Sequence, residues 1–213
     1  MIPHRTPFLL PLLFPSLVWR MPVSTRSTLY LTFDDGPVPG PTEFVLDVLK
    51  RHSIQSTFFC IGDNVRKHPA VFRSVLSHGH TVGNHTVNHL NGWNTSTDKY
   101  VANVLEFDQI ASDGGLHQAT RLFRPPYGRI SRRQIARLKD YRIIMWDVLS
   151  LDYDRTISVE RCLKQTIAAC RPGSIVVFHD SLKAQKNMEY ALPRLIDHFG
   201  GKDYDFGVIP TQS

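Results

Sequence analysis

A chain of 213 residues is the length of one domain, because two domains of this total size would each have a small core. Hydrophobic residues at 42% and charged residues at 21% match ordinary globular usage, which excludes disordered and collagen-like classes. Twenty-five Lys and Arg against nineteen Asp and Glu leave +6, which permits an anionic partner, but no run of five or six basic residues marks a nucleic-acid tract and none is expected.

The chain opens on an apolar stretch, Phe8 to Trp19, interrupted by Pro11 and Pro15 and preceded by Pro7. It is shorter than the ~20 residues of a membrane-spanning helix, so no transmembrane segment is expected. A secretory signal would need an unbroken apolar run and a small-x-small cleavage site, which Arg20, Met21, Pro22 and Val23 do not supply. Residues 1–27 are therefore expected to pack as a proline-rich segment on a domain spanning 28–213. A cytoplasmic location is the expectation, with a signal peptide, an interfacial anchor or envelope association as alternatives. Three cysteines without a CxxC read as buried thiols rather than a disulfide framework.

From Thr28 the pattern alternates strand-like and helix-like runs. Thr28–Phe33 is rich in β-branched and aromatic residues and stops at Asp34-Asp35-Gly36-Pro37. Phe44, Val45, Val48 and Leu49 follow at helical spacing behind Pro41. Thr57–Ile61 reads as a second strand, and Val71, Phe72, Val75 and Leu76 as a helix ended by Gly79. Thr81–Gly83 is a weak strand leading into histidines. A helix is expected from Thr97 to the Gly114-Gly115 stop. Leu122-Phe123 precedes Arg124-Pro125-Pro126, and Ser131 caps a short helix to Lys139. Arg142–Val148 reads as one buried strand. Behind the Ser158 cap, Val159, Cys162, Leu163, Thr166, Ile167 and Cys170 share a helical face. Ser174–Phe178 is another core strand, Met188 to Phe199 the last amphipathic helix, and Asp205–Ile209 a final strand. This alternation predicts βα units around a mostly parallel sheet, open or closed into a barrel.

The ionisable residues gather where these strands end: Asp34 and Asp35, then His85 and His89, Arg124, Asp152, and His179 with Asp180. In parallel α/β folds the ligand crevice lies at the carboxyl ends of strands. Each residue also has a plainer reading. His85-x-x-x-His89 puts two imidazoles on one face if helical, suited to one cation, or else makes loop hydrogen bonds. Asp is a favoured turn residue. Arg124 is a surface cation on a stiff loop or a planar fork holding a carboxylate. His179 alone reads better as a satisfied core histidine, and Asp152 as solvated. Two histidines and a carboxylate together make a three-ligand set that leaves positions for water, the pattern of a catalytic metal.

Four motifs in order carry a resemblance: Thr32-Phe33-Asp34-Asp35-Gly36-Pro37, His85-Thr86-Val87-Asn88-His89, Arg124-Pro125-Pro126-Tyr127-Gly128 and Phe178-His179-Asp180. They resemble the polysaccharide deacetylases, the NodB-homology domains of carbohydrate esterase family four. The resemblance runs from about Thr28 to near the end of the chain. It implies a distorted (β/α) barrel with about seven parallel strands, and metal-dependent removal of N-linked acetyl groups from N-acetylglucosamine polymers of the peptidoglycan or chitin type. It implies Asp34 as general base, Asp35, His85 and His89 as metal ligands, and Arg124 as the residue orienting the base. The Tyr127 backbone N–H matches the oxyanion donor, His179 the general acid and Asp152 its partner carboxylate.

Three positions, in two places, depart from the family pattern. Leu149-Ser150-Leu151-Asp152-Tyr153 stands where relatives often carry Asp-x-x-Asp-Trp, and Val177 replaces a common Leu of the acetyl pocket. Trp93 and Tyr153 are candidates for stacking on sugar rings, beside Tyr127. The ligand set suits zinc, cobalt, nickel or iron, with zinc expected. An O-acetyl esterase of xylan type, a two-metal phosphohydrolase, an oxygenase and a non-catalytic carbohydrate-binding relative are the alternatives weighed.

Overall fold

The computed structural model describes residues 3–23, 25–117 and 121–211. The spans 1–27 and 28–213 drawn from the sequence also take in the few remaining positions, which lie outside the described residues. In chain order the elements are α1 (Leu9–Leu13), β1 (Thr28–Asp34), α2 (Pro41–Arg51), β2 (Thr57–Cys60), α3 (Gly62–Lys67), α4 (Pro69–Ser77), β3 (Thr81–Asn84) and α5 (Thr97–Asp113). They continue with β4 (Leu122–Phe123), α6 (Arg132–Arg137), β5 (Arg142–Ile143), β6 (Val148–Leu149), α7 (Val159–Ala169), β7 (Ile175–His179), α8 (Gln185–Gly200) and β8 (Asp205–Phe206).

Seven parallel strands in the order β5-β4-β3-β2-β1-β7-β6 form a curled half-barrel, with β8 beside the start of β1. The central strands read as near-continuous apolar runs because both faces are covered. Along β1, Phe33 points out to the helix layer and stacks on Phe58 of β2 and Phe178 of β7 at 4.9 and 6.4 Å. The alternate residues Thr32 and Asp34 turn the other way and meet Arg124, as the two-residue period of a strand requires.

The expected single strand Arg142–Val148 is two strands at opposite edges of the sheet. Ile144 to Asp147 crosses between them: its end residues still donate to the sheet, Ile144 N–H to Phe123 and Asp147 N–H to Ile175, and its other bonds lie elsewhere. The carbonyls of Ile144 and Met145 accept from the Arg124 guanidinium at 3.2 and 3.0 Å. The N-terminal segment bonds along the same crossing. Val18 N–H donates to Ile143, Met145 N–H to Val18, Thr6 N–H to Asp147 and Leu149 N–H to His4, all between 2.7 and 2.9 Å. Residues of that segment thus supply backbone partners at both open edges. Leu17, Trp19 and Met21 are buried beneath it, whereas Phe8, Leu9, Leu12 and Leu13 are exposed.

Other boundaries moved for local reasons. Helix α6 is shorter than expected but keeps its Ser131 cap, whose hydroxyl accepts from Gln134 N–H. Helices α1 and α3 were not foreseen, the first because its five residues include a proline and the second because Val65 is its one buried large apolar side chain. The final strand contracts to Asp205–Phe206. Cys60 and Cys162 are buried free thiols and Cys170 is half-buried. Among the described residues no helix is long and apolar enough to cross a membrane.

Candidate active site

The site is assembled from loops that follow β1, β3, β4, β6 and β7. Asp34 closes β1 inside the half-barrel, 4% exposed, with its Oδ1 2.6 Å from Arg124 Nη1. Arg124 has no exposed surface. Its guanidinium also donates to the Thr32 hydroxyl and to the two carbonyls of the crossing strand, and lies 4.1 Å over the Phe59 ring. Burial opposes ionisation of Asp34, but the Arg124 charge, aided by His85 and His179, holds its carboxyl below the ordinary value. Arg124 does not grip this carboxylate as a two-pronged fork. One nitrogen holds Asp34 and the rest of the fork fixes the backbone around it.

One residue on, Asp35 points its Oδ1 at two imidazoles, 3.3 Å from His89 Nε2 and 3.8 Å from His85 Nε2. One ligand atom from each residue fits within 4.8 Å of the others. The stretch from His85 to His89 is a turn rather than a helix, with left-handed backbone at Thr86 and His89. The turn is pinned by Asn84 Oδ1 on Thr86 N–H, by Asn103 Oδ1 on Val87 N–H, and by the Gly62 and Asp63 N–H groups on the Thr86 and Val87 carbonyls. His85 Nδ1–H donates to the Arg124 carbonyl at 2.8 Å, which leaves Nε2 as the lone-pair nitrogen. His89 Nδ1 lies 3.1 Å from the Tyr127 hydroxyl. Burial lowers the pKa of both imidazoles and keeps them neutral. Asp35 Oδ1 is buried and has no hydrogen-bond partner. An unpartnered carboxylate oxygen facing two neutral imidazole nitrogens is costly without a cation, so the donor set fits a divalent metal.

Across the ladder, Asp34 pairs in register with His179 at the end of β7. His179 Nδ1–H donates to Asp152 Oδ1 at 2.7 Å, and its backbone N–H to Asp152 Oδ2 at 2.8 Å. Burial alone would lower the pKa of this histidine. The buried Asp152 carboxylate, with Asp35 and Asp34 further off, overrules that and raises it to about 9.

With this geometry in view, the comparisons with known proteins are specific. The family model described as polysaccharide deacetylase matches residues 23–146. The chain belongs to the polysaccharide deacetylase family. It is 30% identical to a peptidoglycan-N-acetylglucosamine deacetylase of Bacillus cereus over 91% of each chain. It is 35% identical to a chitooligosaccharide deacetylase of Bradyrhizobium sp. over 74% of this chain and 73% of that one. Among solved structures, the Bc1960 peptidoglycan N-acetylglucosamine deacetylase superposes with a TM-score of 0.88 at 27% identity, covering 97% of this chain and 96% of that chain. The expected fold, a distorted barrel of about seven parallel strands, is therefore a deacetylase fold.

Within this deacetylase fold, the residues singled out from sequence occupy three groups. Asp34 with Arg124, Asp35 with His85 and His89, and His179 with Asp152 all converge. Tyr127 stands at the rim, 60% exposed, in a left-handed turn (φ 60°). Trp93 is also exposed, and Arg129 lies against both aromatic rings at 5.1 and 5.9 Å. Tyr153 meets His179 edge-on at 4.9 Å. Val177 is fully buried behind Leu149 and Leu151, so it shapes the site from beneath and presents no surface of its own. A cleft of about 740 Å³ opens at Tyr153 and another of about 350 Å³ at Trp93 and Tyr127, with Pro3 of the N-terminal segment lining both.

Three further residues support the site without a role legible in the sequence: Asp180, Thr42 and Asn64. Asp180 is 1% exposed, and its Oδ1 accepts from Gly36 N–H at 3.0 Å and its Oδ2 from the Thr42 hydroxyl at 2.6 Å. Burial raises its pKa to about 8, with Asp35 adding to the rise against the Thr42 bond. Asn64 Nδ2 donates to the Asp35 carbonyl at 2.7 Å. Of the seven non-glycine residues with positive φ among those described, Asp35, Thr86, His89, Tyr127 and Leu151 lie on the site's loops. Such backbone costs about 1–3 kcal/mol per residue and gathers where function over-determines it.

Proposed function

We propose that the chain hydrolyses N-acetyl groups of N-acetylglucosamine units in a polymer or oligomer of the peptidoglycan or chitin type, using one divalent metal ion, zinc by donor preference. The carrying observation is that one cation-ready cluster lies between two buried ion pairs whose reactive members are poised in opposite protonation states. The named activities of the peptidoglycan and chitooligosaccharide deacetylases it resembles support the same substrate class. A cation on Asp35, His85 and His89 supplies Lewis-acid polarisation of the acetyl carbonyl and acidifies water.

The chain's own groups do the rest. Asp34, ionised and held by Arg124, takes the proton of the attacking water as its oxygen bonds to the acetyl carbon. The Tyr127 backbone N–H donates to the developing oxyanion. An amine leaves poorly without a proton, so His179 gives one from Nε2 as the carbon–nitrogen bond breaks, while Asp152 keeps Nδ1 protonated and the ring aligned. Acetate and the free amino sugar are the products. Trp93, Tyr127 and Tyr153 offer faces for sugar rings along the two clefts.

Acetate released from chito-oligomers, peptidoglycan fragments and acetylated xylan, with and without added zinc, cobalt, nickel or iron(II), tests this. Metal-stimulated release from the amino-sugar substrates is expected. Release from xylan alone would transfer the site to O-acetyl esters, and no release from any substrate would remove the catalytic reading.

A further inference from the structure

One buried ionisable side chain at the site has no part in the reaction above. Asp180 follows His179, and its contacts surround Asp35. The Asp180 N–H donates to the Asp34 carbonyl at 3.1 Å, while its Oδ1 takes the Gly36 N–H. The peptides on both sides of Asp35 are thus tied to one residue. Between them Asp35 is held at φ 79°, a conformation that a residue with a Cβ avoids unless its neighbours enforce it. The Thr42 hydroxyl, itself accepting from Val38 N–H at 2.7 Å, locks the second Asp180 oxygen. Gly36 has to be glycine here, since a Cβ would collide with the Asp180 carboxylate.

We propose that Asp180 is a positioning residue that sets the aim of the Asp35 carboxylate toward His85 and His89, and so governs metal affinity; this rests on the metal reading of that cluster. What it contributes is a hydrogen-bonded bridge from the Gly36 N–H to the Thr42 hydroxyl, not charge. Asparagine can keep that bridge, with Oδ1 accepting from Gly36 and the Thr42 contact turned round so that Nδ2 donates to the hydroxyl oxygen. Alanine cannot. Without the staple the turn can relax away from its left-handed conformation and Asp35 Oδ1 leaves the two Nε2 atoms. Outer-shell losses of this kind typically weaken metal binding about 10- to 100-fold.

The test measures zinc affinity by competition with a chromophoric chelator, together with the thermal midpoint in excess chelator, for the full chain and its Asp180→Ala, Asp180→Asn and Thr42→Val variants. Asp180→Ala is expected to weaken zinc at least about tenfold, and Asp180→Asn to recover affinity to within about threefold of the parent, by the same outer-shell reasoning. A folded Asp180→Ala variant with parental affinity overturns the proposal, as does an asparagine variant as weak as alanine. Should the alanine variant fail to fold, Thr42→Val removes only one of the two side-chain bonds to Asp180, together with the Val38 N–H bond to the same hydroxyl. A severalfold weaker zinc affinity there supports the staple, and an unchanged one overturns it. Failure of the parent chain to bind zinc, cobalt or nickel would instead remove the metal reading itself, and this proposal with it.

Discussion

Two buried ion pairs face each other across the β1–β7 ladder, and they are built the opposite way round. In Asp34–Arg124 the reactive member is the carboxylate, and the cation is scaffolding, fixed to a threonine hydroxyl and two backbone carbonyls. In His179–Asp152 the reactive member is the cation, and the carboxylate is scaffolding, its own backbone carbonyl held by Asn187. In both, the partner's charge outweighs burial. A lowered carboxyl pKa on one strand and a raised imidazole pKa on the next let base and acid coexist at one pH, because each pair neutralises itself.

Removing the metal should erase the value of both pairs at once. Chelation is expected to abolish acetate release. For a metal present at about 100 times its Kd it should also withdraw roughly 2.7 kcal/mol of stability, a fall in Tm of about 5–10 °C for a chain of this size. Retained turnover in chelator would detach the two pairs from any metal. Next in size is Asp34→Asn. The amide still accepts from Arg124, so zinc content should hold while kcat falls about 10²- to 10⁴-fold. Near-full turnover would show that the β1 pair is structural after all.

The sequence made these pairs legible to different degrees, for physical reasons. Side chains that follow strands in a parallel sheet must share one end of it, so Asp34, His85, Arg124 and His179 could be grouped before any coordinates. Helices with a capping serine, a regular apolar face or a diglycine stop were equally readable, as α5 and α7 show. The 142–148 run was misread because burial and backbone bonding were taken together as strand. Its ends still bond to the sheet, through Ile144 N–H to Phe123 and Asp147 N–H to Ile175, but its other partners are the Arg124 side chain and the N-terminal segment, and neither leaves a period in the local sequence. The helical option for His85–His89 failed likewise, since left-handed turns held by Asn84 and Asn103 carry no short-range signature. Asp180 has no role legible in its motif, because its partners Gly36 and Thr42 lie far away in sequence, in the loop after β1 and in α2.

On the second pair the expected effects are smaller and more selective. Replacing His179 by alanine should cost an N-acetyl substrate about 10²-fold or more, and an O-acetyl ester less, because an alkoxide departs more readily than an amine anion. Equal losses on both would deny His179 its role as leaving-group acid. Asp152→Asn probes the same group by pH. His179 stays protonated up to about 9 only while Asp152 is charged, so losing that charge should move the alkaline limb of kcat/KM acidward by roughly 1–3 units. The acid limb belongs to Asp34, which stays ionised as pH falls through the ordinary carboxylate range, and it should hold its place. If both limbs move together, the pairs are not independent.

The smallest effect is expected where a third contrast appears, within the metal cluster. His85 is oriented by a backbone carbonyl deep in the barrel, whereas His89 has the hydroxyl of Tyr127, a residue exposed at the rim. Tyr127→Phe takes away that oxygen and leaves the backbone N–H assigned to the oxyanion. Zinc should bind about tenfold more weakly, the low end for an outer-shell partner, while kcat at saturating zinc stays within about twofold of the parent. Competition with a chelator and acetate release at high zinc measure the two separately. Were kcat to fall with zinc saturating, the phenol itself would have to act on the substrate, and the division of Tyr127 into a structural side chain and a reactive backbone would not stand.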